Sequence, residues 1–547
     1  MPIDGDFIKV INKGVYWLIR REYRDLLNDL LNDNFNRTDS NKYHMIRTPP
    51  PRTVVSTFLN NIDQKEKVFI KIYHLSFFTD MIKYFFQKSK GRKEWEIGNE
   101  LLGQGIPTAL PIAVGEGYRL GILKENYLIL KGIENGKSLK HYIVQGRGLA
   151  KKRNLPKILA VFIKEIHRKG ILHRDLHAGN IIVQEQGKDI VKLYLIDLHD
   201  VDILNKLTIS QILKNFAQIN NPKARNTDRI RFIKEYTRDN DNLKHPYKKY
   251  ARIVGKLTDK RLDKLWQRRG KRCLKENKYF LFLKKDGFCG FLLRKYEKQY
   301  LENNLINPDI ILNDSGSRIC KNGRTTKSGI ARVNINREIF IKRYNNKGLF
   351  YSLKNMFRKS RAIKTWKVAN GLIVRGIPTP RPIMVLVKRR WRILHESFLV
   401  SETVSGSCSL KLYLKQQPFN DQESKKAFYL RLATFLAGLH TRRGVHGDLK
   451  ANNILVLRGG KNIKFYFVDL DKAKIYKKFK ADNAIRDLAR LNADGIELSI
   501  NKTDRFRFFK FYLSFNRDMK EEKRKYLLKI NKITHRHLRR HQKKEGQ

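Results

Sequence analysis

Apolar positions along this chain alternate between two periods. KVFIKIY over Lys67–Tyr73 places apolar and polar residues in turn, as a half-buried strand does, and EIFIKRY over Glu338–Tyr344 repeats it. Val191–Ile196 and Phe465–Val468 are short apolar runs rich in β-branched and aromatic residues, and they read as buried strands. Between such runs the spacing turns helical. KEWEIGNELLGQG, which carries Glu94, ends in Gly103 and Gly105 before an Ile106-Pro107-Thr108 breaker, as a helix should. Phe162, Leu436 and Leu439 fall on the core faces of other helices.

The pattern occurs twice. IHRKGILHRDLHAGNIIV followed by LYLIDLHD returns about 273 residues later as LHTRRGVHGDLKANNILV followed by FYFVDLD. Thr227-Asp228-Arg229 with Tyr236 likewise recurs as Thr503-Asp504-Arg505 with Tyr512. Solenoid repeats have periods of a few tens of residues, so this is duplication of a whole domain. The second copy runs to the end of the chain, which predicts domains at 1–272 and 273–547. A chain of 547 residues, 41% hydrophobic and 11% aromatic, can bury two sizeable cores.

Each copy places an Asp (Asp175, Asp448) five residues before an Asn (Asn180, Asn453), then a second Asp (Asp197, Asp469) after an apolar run. This is the spacing of a kinase catalytic loop and metal-binding strand. Phosphoryl transfer needs positioning and charge neutralisation, and Asp175 or Asp448 can orient an acceptor hydroxyl and take its proton. Asn180 with Asp197, and Asn453 with Asp469, offer the hard oxygens that Mg²⁺ prefers. Lys71 and Lys342, one in each alternating strand, suit the α/β-phosphates of ATP, and a helix Glu would hold such a lysine. Glu94 supplies it in the first copy. Thr365 stands at its place in the second, and no acidic residue lies between Glu338 and Glu396. The second copy therefore either anchors its lysine differently or is catalytically weaker.

Taken with His167, His173-Arg174-Asp175 and Gly105-Ile106-Pro107-Thr108, and with His440, His446-Gly447-Asp448 and Gly376-Ile377-Pro378-Thr379-Pro380, these residues make both halves resemble the lipopolysaccharide core kinase (Kdo/WaaP) family. The resemblance implies an α+β chain of two tandem protein-kinase-like bilobal domains, each with a small β-rich N-lobe and a mainly helical C-lobe. It implies transfer of the ATP γ-phosphate, with Mg²⁺, to a sugar hydroxyl of the lipopolysaccharide inner core, heptose or Kdo, on a core or lipid A precursor. It further implies catalytic Asp175 and Asp448, nucleotide-binding Lys71, Glu94 and Lys342, and metal-binding Asn180, Asp197, Asn453 and Asp469. The first copy, which keeps all five parts, is the better catalytic candidate. Neither half has a G-x-G-x-x-G loop before its lysine. Copy one has RTPPPRTVVSTF there and copy two NGRTTKSGIARV, and D-F-G and A-P-E are absent. These departures favour a small-molecule or glycolipid kinase. An atypical protein Ser/Thr kinase and a basic pseudokinase scaffold at the membrane are the alternatives.

Charge bears on partners. Against 52 Asp and Glu stand 115 Lys and Arg, a formal net charge of +63. Lys388-Arg389-Arg390-Trp391-Arg392, Arg268-Arg269-Gly270-Lys271-Arg272 and the tail from His535 to Lys544 concentrate it. Near an anionic leaflet each basic residue contributes about 1 kcal/mol, enough in sum to hold the protein peripherally on the inner membrane. Nucleic acid would serve equally as counter-charge, but no zinc finger, helix-turn-helix or RNA-binding aromatic signature accompanies it. No apolar run approaches the ~20 residues that span a bilayer, and the opening residues lack a signal-peptide layout, so a cytoplasmic location is expected. The four cysteines show no C-x-x-C spacing and read as reduced thiols.

Overall fold

The computed structural model describes residues 6–32, 43–47, 52–60, 65–75, 84, 86–145, 154–186, 190–238, 243, 245–302, 307–334, 337–346, 348, 356, 358–391, 393–416, 419, 421–459 and 462–545. Thr48–Pro51 of the first pre-lysine loop and Arg392 of one basic cluster lie outside them. The chain divides into two compact units, Met1–Leu262 and Asp263–Gln547, with the division inside the helix Tyr247–Gly270. Each unit joins an antiparallel sheet to a largely helical region, the α+β architecture expected.

In the first unit, β1 (Phe7–Asn12), β2 (Val15–Arg20), β3 (His44–Arg47), β4 (Arg52–Asn60), β5 (Lys65–Tyr73), β6 (Pro111–Arg119) and β7 (Ile122–Lys131) form one sheet in the order β1-β2-β6-β7-β5-β4-β3. Val68, Ile70 and Ile72 of β5 are buried, and the strand is flanked by β4 and β7, with Lys71 opposite Val54 and Leu128. The helix Lys90–Gly103 starts where the Ser89 side chain accepts from the Arg92 N–H at 3.1 Å. Its first turn lies against β7, since the Gly91 N–H donates to Asn126 Oδ1 at 2.8 Å. A Cβ on Gly91 would stand 2.7 Å from the Asn126 side-chain amide, which would have to shift to admit it.

The helical region of this unit packs Leu155–Arg168, Ile209–Ile219 and Asn226–Thr237 around Ile163, Ile166, Phe216 and Tyr236. Short strands β8 (Lys137–Ser138), β10 (Ile181–Glu185) and β11 (Val191–Leu195) form one small sheet, and β9 (Ile171–His173) pairs with β12 (Val201–Ile203). The Ile-Pro-Thr segment does more than stop a helix. The Thr108 hydroxyl donates to the Leu195 carbonyl at 2.6 Å, and the Leu195 N–H donates to the Pro107 carbonyl at 2.9 Å, which fixes the end of β11.

The second unit repeats the plan with β13 (Phe280–Lys285), β14 (Phe288–Leu293), β15 (Arg318–Gly323), β16 (Thr326–Asn334), β17 (Arg337–Tyr344), β18 (Pro382–Arg390) and β19 (Ile393–Glu402), in the order β13-β14-β18-β19-β17-β16-β15. The helix Arg361–Val374 is capped by Ser360, as its counterpart is by Ser89. Strands β20 (Ser407–Ser409), β22 (Ile454–Gly459) and β23 (Asn462–Phe467) form a small sheet, and β21 (Gly444–Val445) pairs with β24 (Lys474–Ile475). Thr379 and Pro378 hold Phe467 at 2.7 and 3.1 Å, the same grip in the second copy. The leading hairpins β1-β2 and β13-β14 were not evident as strands in the sequence, whose repeat is weakest there.

His167 lies buried between the Tyr236 hydroxyl at 2.8 Å and Asn215 Oδ1 at 3.1 Å, and burial pushes its pKa down to about 4. The neutral ring belongs to the folded state, so its stabilisation is complete above the unfolded value near 6.5 and is lost as pH falls toward 4. Protonation linkage should remove about 3 kcal/mol from the first unit over that window. Urea titrations between pH 7 and pH 4 check this, because His167→Asn should flatten that part of the profile.

Candidate active site

Lys71 is almost wholly enclosed. Its Nζ lies 2.6 Å from Glu94 Oε1 and 3.2 Å from Asp197 Oδ1, so strand β5, the helix Lys90–Gly103 and the segment after β11 each contribute one charged group. Glu94 is fully satisfied: the Tyr73 hydroxyl donates to Oε2 at 2.5 Å and the Leu198 N–H to Oε1 at 3.1 Å. Burial raises the pKa of Glu94, but Lys71 outweighs burial and holds it below the ordinary value. Asp197 follows β11 in the left-handed region, at φ 67°, which Asp tolerates better than most residues and which turns the chain sharply at that carboxylate. Burial pushes it up, yet His199, Lys71 and Arg52 drive it far below the carboxylate range, so it is ionised at any physiological pH.

Asp175 and Asn180 reach the same place through the backbone. The Asn180 amide donates to the Asp175 carbonyl at 3.0 Å and so closes the turn between them. Ile196, immediately before Asp197, is held from both sides: its N–H donates to the Asn180 carbonyl at 3.0 Å, and its carbonyl accepts from His173 Nε2 at 3.1 Å. Burial lowers the His173 pKa, and its other nitrogen accepts the Asp175 N–H at 3.2 Å, so the ring braces the loop as a neutral group. The Asp175 carboxylate itself is 54% exposed, with His177 at 3.7 Å and Arg261 at 3.8 Å, and is open to an acceptor.

The donor set suits Mg²⁺. Asp197 is a permanently ionised carboxylate, and the Asn180 side chain adds a neutral oxygen on the adjoining turn. Glu94, Asp197 and His199 also bring ligand atoms within 4.8 Å of one another, but the Glu94 oxygens already accept from Lys71, Tyr73 and Leu198. Arg52 of β4 forms a fork on Asp197, with Nη2 at 3.1 Å from Oδ2. Sequence reading passed over Arg52 and Tyr73. Their signal was position: the two pair directly across β4 and β5, two residues from the Val54 and Lys71 pair.

In the second unit Asn453 donates to the Asp448 carbonyl at 2.8 Å, and Val468 is held by Asn453 at 3.0 Å and by His446 at 2.9 Å. Lys342 Nζ lies 2.6 Å from Asp469 Oδ1 and 3.1 Å from Asp471 Oδ2. Asp448 differs from Asp175: Lys472 at 2.9 Å and Arg490 at 2.8 Å both engage its carboxylate. Burial raises its pKa, but Lys472, Arg490 and Lys450 together lower it, which makes it a weaker proton acceptor.

A family model described as the lipopolysaccharide kinase (Kdo/WaaP) family matches residues 46–236 and again 317–512. The chain belongs to this family. The double match covers most of both units and shows the kinase-like region to be duplicated. The chain is 26% identical over 129 residues to a 3-deoxy-D-manno-octulosonic acid kinase of Pasteurella multocida, covering 23% of this chain and 52% of that one. It is 25% identical over 114 residues to an enzyme of the same description from Mannheimia succiniciproducens, covering 21% and 45%. The chain thus spans about half the length of the curated relatives it matches. Among solved structures it is similar to one titled WaaP in complex with acyl carrier protein, at TM-score 0.35 and 15% identity, covering 43% of this chain and 95% of that one.

The geometry separates a buried ion pair from a solvent-screened one on the same helix. Glu94→Gln leaves Lys71 enclosed with half its counter-charge and should cost the first unit about 3 kcal/mol. Glu96→Gln, which breaks half-exposed pairs with Lys88 and Arg92, should cost under about 1 kcal/mol. Denaturant midpoints of the two variants measure the difference.

Proposed function

We infer that the protein is an ATP- and Mg²⁺-dependent kinase that phosphorylates a sugar hydroxyl, heptose or Kdo, of the lipopolysaccharide inner core. The observation that carries this reading is Lys71 fixed between Glu94 and Asp197, beside a loop that presents an open Asp175. Lys71 grips the α/β-phosphates, with Glu94 keeping its ammonium aimed into the cleft. Asn180 and Asp197 would hold the metal, which would supply positive charge against the nucleotide phosphates. Asp175 orients the sugar hydroxyl and takes its proton as the sugar oxygen bonds to the γ-phosphorus. The bond from that phosphorus to the β,γ-bridging oxygen breaks, and ADP leaves with the electron pair. Arg52, which forks onto Asp197, would have to release that carboxylate for it to hold a metal.

The kinase-like domains proposed at 1–272 and 273–547 then differ in task. The first performs transfer, and the second, whose Asp448 is engaged by two cations, transfers more slowly or presents the acceptor. The acceptor class explains the charge. Arg268, Arg269, Lys271, Lys388 and Arg390 are exposed and match an anionic glycolipid precursor in an anionic cytoplasmic leaflet. No described helix is long and apolar enough to cross a membrane, so attachment through such basic surface is the mode proposed.

Asp175→Ala and Asp448→Ala, singly and together, assayed for phosphate transfer from ATP to core oligosaccharide, test this. Asp175→Ala should lower kcat roughly a hundredfold or more, as loss of a proton acceptor does. Full rate in the double variant would remove both assignments.

A further inference from the structure

The two units solve one electrostatic problem with acids from different elements. In the first, the carboxylate holding Lys71 comes from the helix, Glu94, and the residue two after Asp197 is His199, whose Nδ1 is 3.5 Å from Asp197. In the second the helix offers Thr365, and the residue two after Asp469 is Asp471. Asp471 sits where its carboxylate does the work of Glu94. Lys342 reaches its Oδ2 at 3.1 Å, and the Tyr344 hydroxyl donates to its Oδ1 at 2.7 Å, just as the Tyr73 hydroxyl donates to Glu94. The Thr365 hydroxyl, whose single proton has the Arg361 carbonyl at 3.0 Å and Asp471 Oδ1 at 3.3 Å, lies beside the incoming acid. Arg361, in the first turn of that helix, closes the set at 2.9 Å.

Size explains the exchange. A helix Glu reaches the lysine across the cleft, and replacing it by Thr leaves room that a shorter Asp fills from the opposite side. Each unit keeps one enclosed acid for its lysine: Glu94 is 2% exposed in its side chain and Asp471 15%, whereas Asp469, the other partner of Lys342, is 48% exposed. A lysine kept beside an acid that serves no metal is the arrangement of a nucleotide site, and a decaying copy has no need to rebuild it from a second element.

We propose that Asp471 is the lysine-positioning residue of the second unit, replacing the helix glutamate, and that the second unit therefore binds Mg²⁺-nucleotide in its own right. The inference rests on the kinase reading above and assigns to the second cleft a second molecule of nucleoside triphosphate. Asp471 acts through Lys342 and need not touch the phosphates.

Calorimetric titration of the full chain with the non-hydrolysable analogue AMP-PNP and Mg²⁺ tests it. Two equivalents should bind, and Lys71→Met should remove one of them. Asp471→Asn in the Lys71→Met background should weaken the remaining equivalent roughly tenfold or more, as loss of a buried charge partner does. Thr365→Glu with Asp471→His, which writes the first copy's pair into the second, should restore it, and so should Asp471→Glu. Unchanged affinity in Asp471→Asn overturns the proposal, as does a single equivalent that Lys71→Met abolishes. Failure of both restoring variants would make Asp471 an ordinary packing residue and overturn it too. No binding at all by the wild-type chain would instead defeat the kinase reading on which the inference stands.

Discussion

A lysine withdrawn from water has to keep a carboxylate beside it, and the active-site architecture follows from that requirement. An ammonium buried without a partner would lose its proton or unfold its surroundings. Lys71 and Lys342 each sit on an interior strand of a sheet, with side chains only 10% and 14% exposed. The acid must come to the lysine. In the first unit it arrives on a helix whose own start is fixed by the Ser89 cap and by the close approach of Gly91 to β7. In the second it arrives on the turn after Asp469. The strand, the tyrosine two residues on and the second Asp are common to both, while the origin of the acid changes and the accompanying arginine moves from β4, Arg52, to the helix, Arg361.

The second requirement is that the helical region hold the Asp175–Asn180 turn, and its counterpart Asp448–Asn453, in place relative to this lysine. Two small devices do this in both units. The Pro-Thr pair after the helix grips the end of the apolar strand through backbone and hydroxyl, and a buried His ties its loop to the residue before the second Asp. Asn215 extends the network in the first unit by donating to the His173 carbonyl at 3.0 Å. Asp487 takes its place in the second, accepting the His446 and Gly447 N–H groups at 2.7 and 2.9 Å. These are charge-assisted bonds in place of neutral ones, so the second loop is held at least as firmly.

Legibility in the sequence tracked how local each device is. The Asp-to-Asn spacing, the apolar run before the second Asp and the Lys-bearing strand all lie within short windows, and both copies spelled them. The meeting of Lys71 with Glu94 follows from the family resemblance and a helix pattern. Arg52 and Tyr73 depend on strand pairing between β4 and β5, which no periodicity specifies. Asp471 was visible beside Asp469 but without a task, because its purpose depends on the absence of an acid more than a hundred residues away at Thr365. The leading hairpins β1-β2 and β13-β14 carry no chemistry, and their short runs were too brief to separate from loops.

The central claim is that each unit builds a phosphate-binding cleft around one enclosed lysine. An acyl-phosphate derivative of ATP, which acylates a lysine amine lying against the phosphates and releases ATP, reads this directly when labelled peptides are mapped by mass spectrometry. The account predicts labelling of Lys71 and Lys342, with both protected by excess Mg²⁺-ATP. Labelling spread over the exposed lysines, with neither of these two protected, would contradict it.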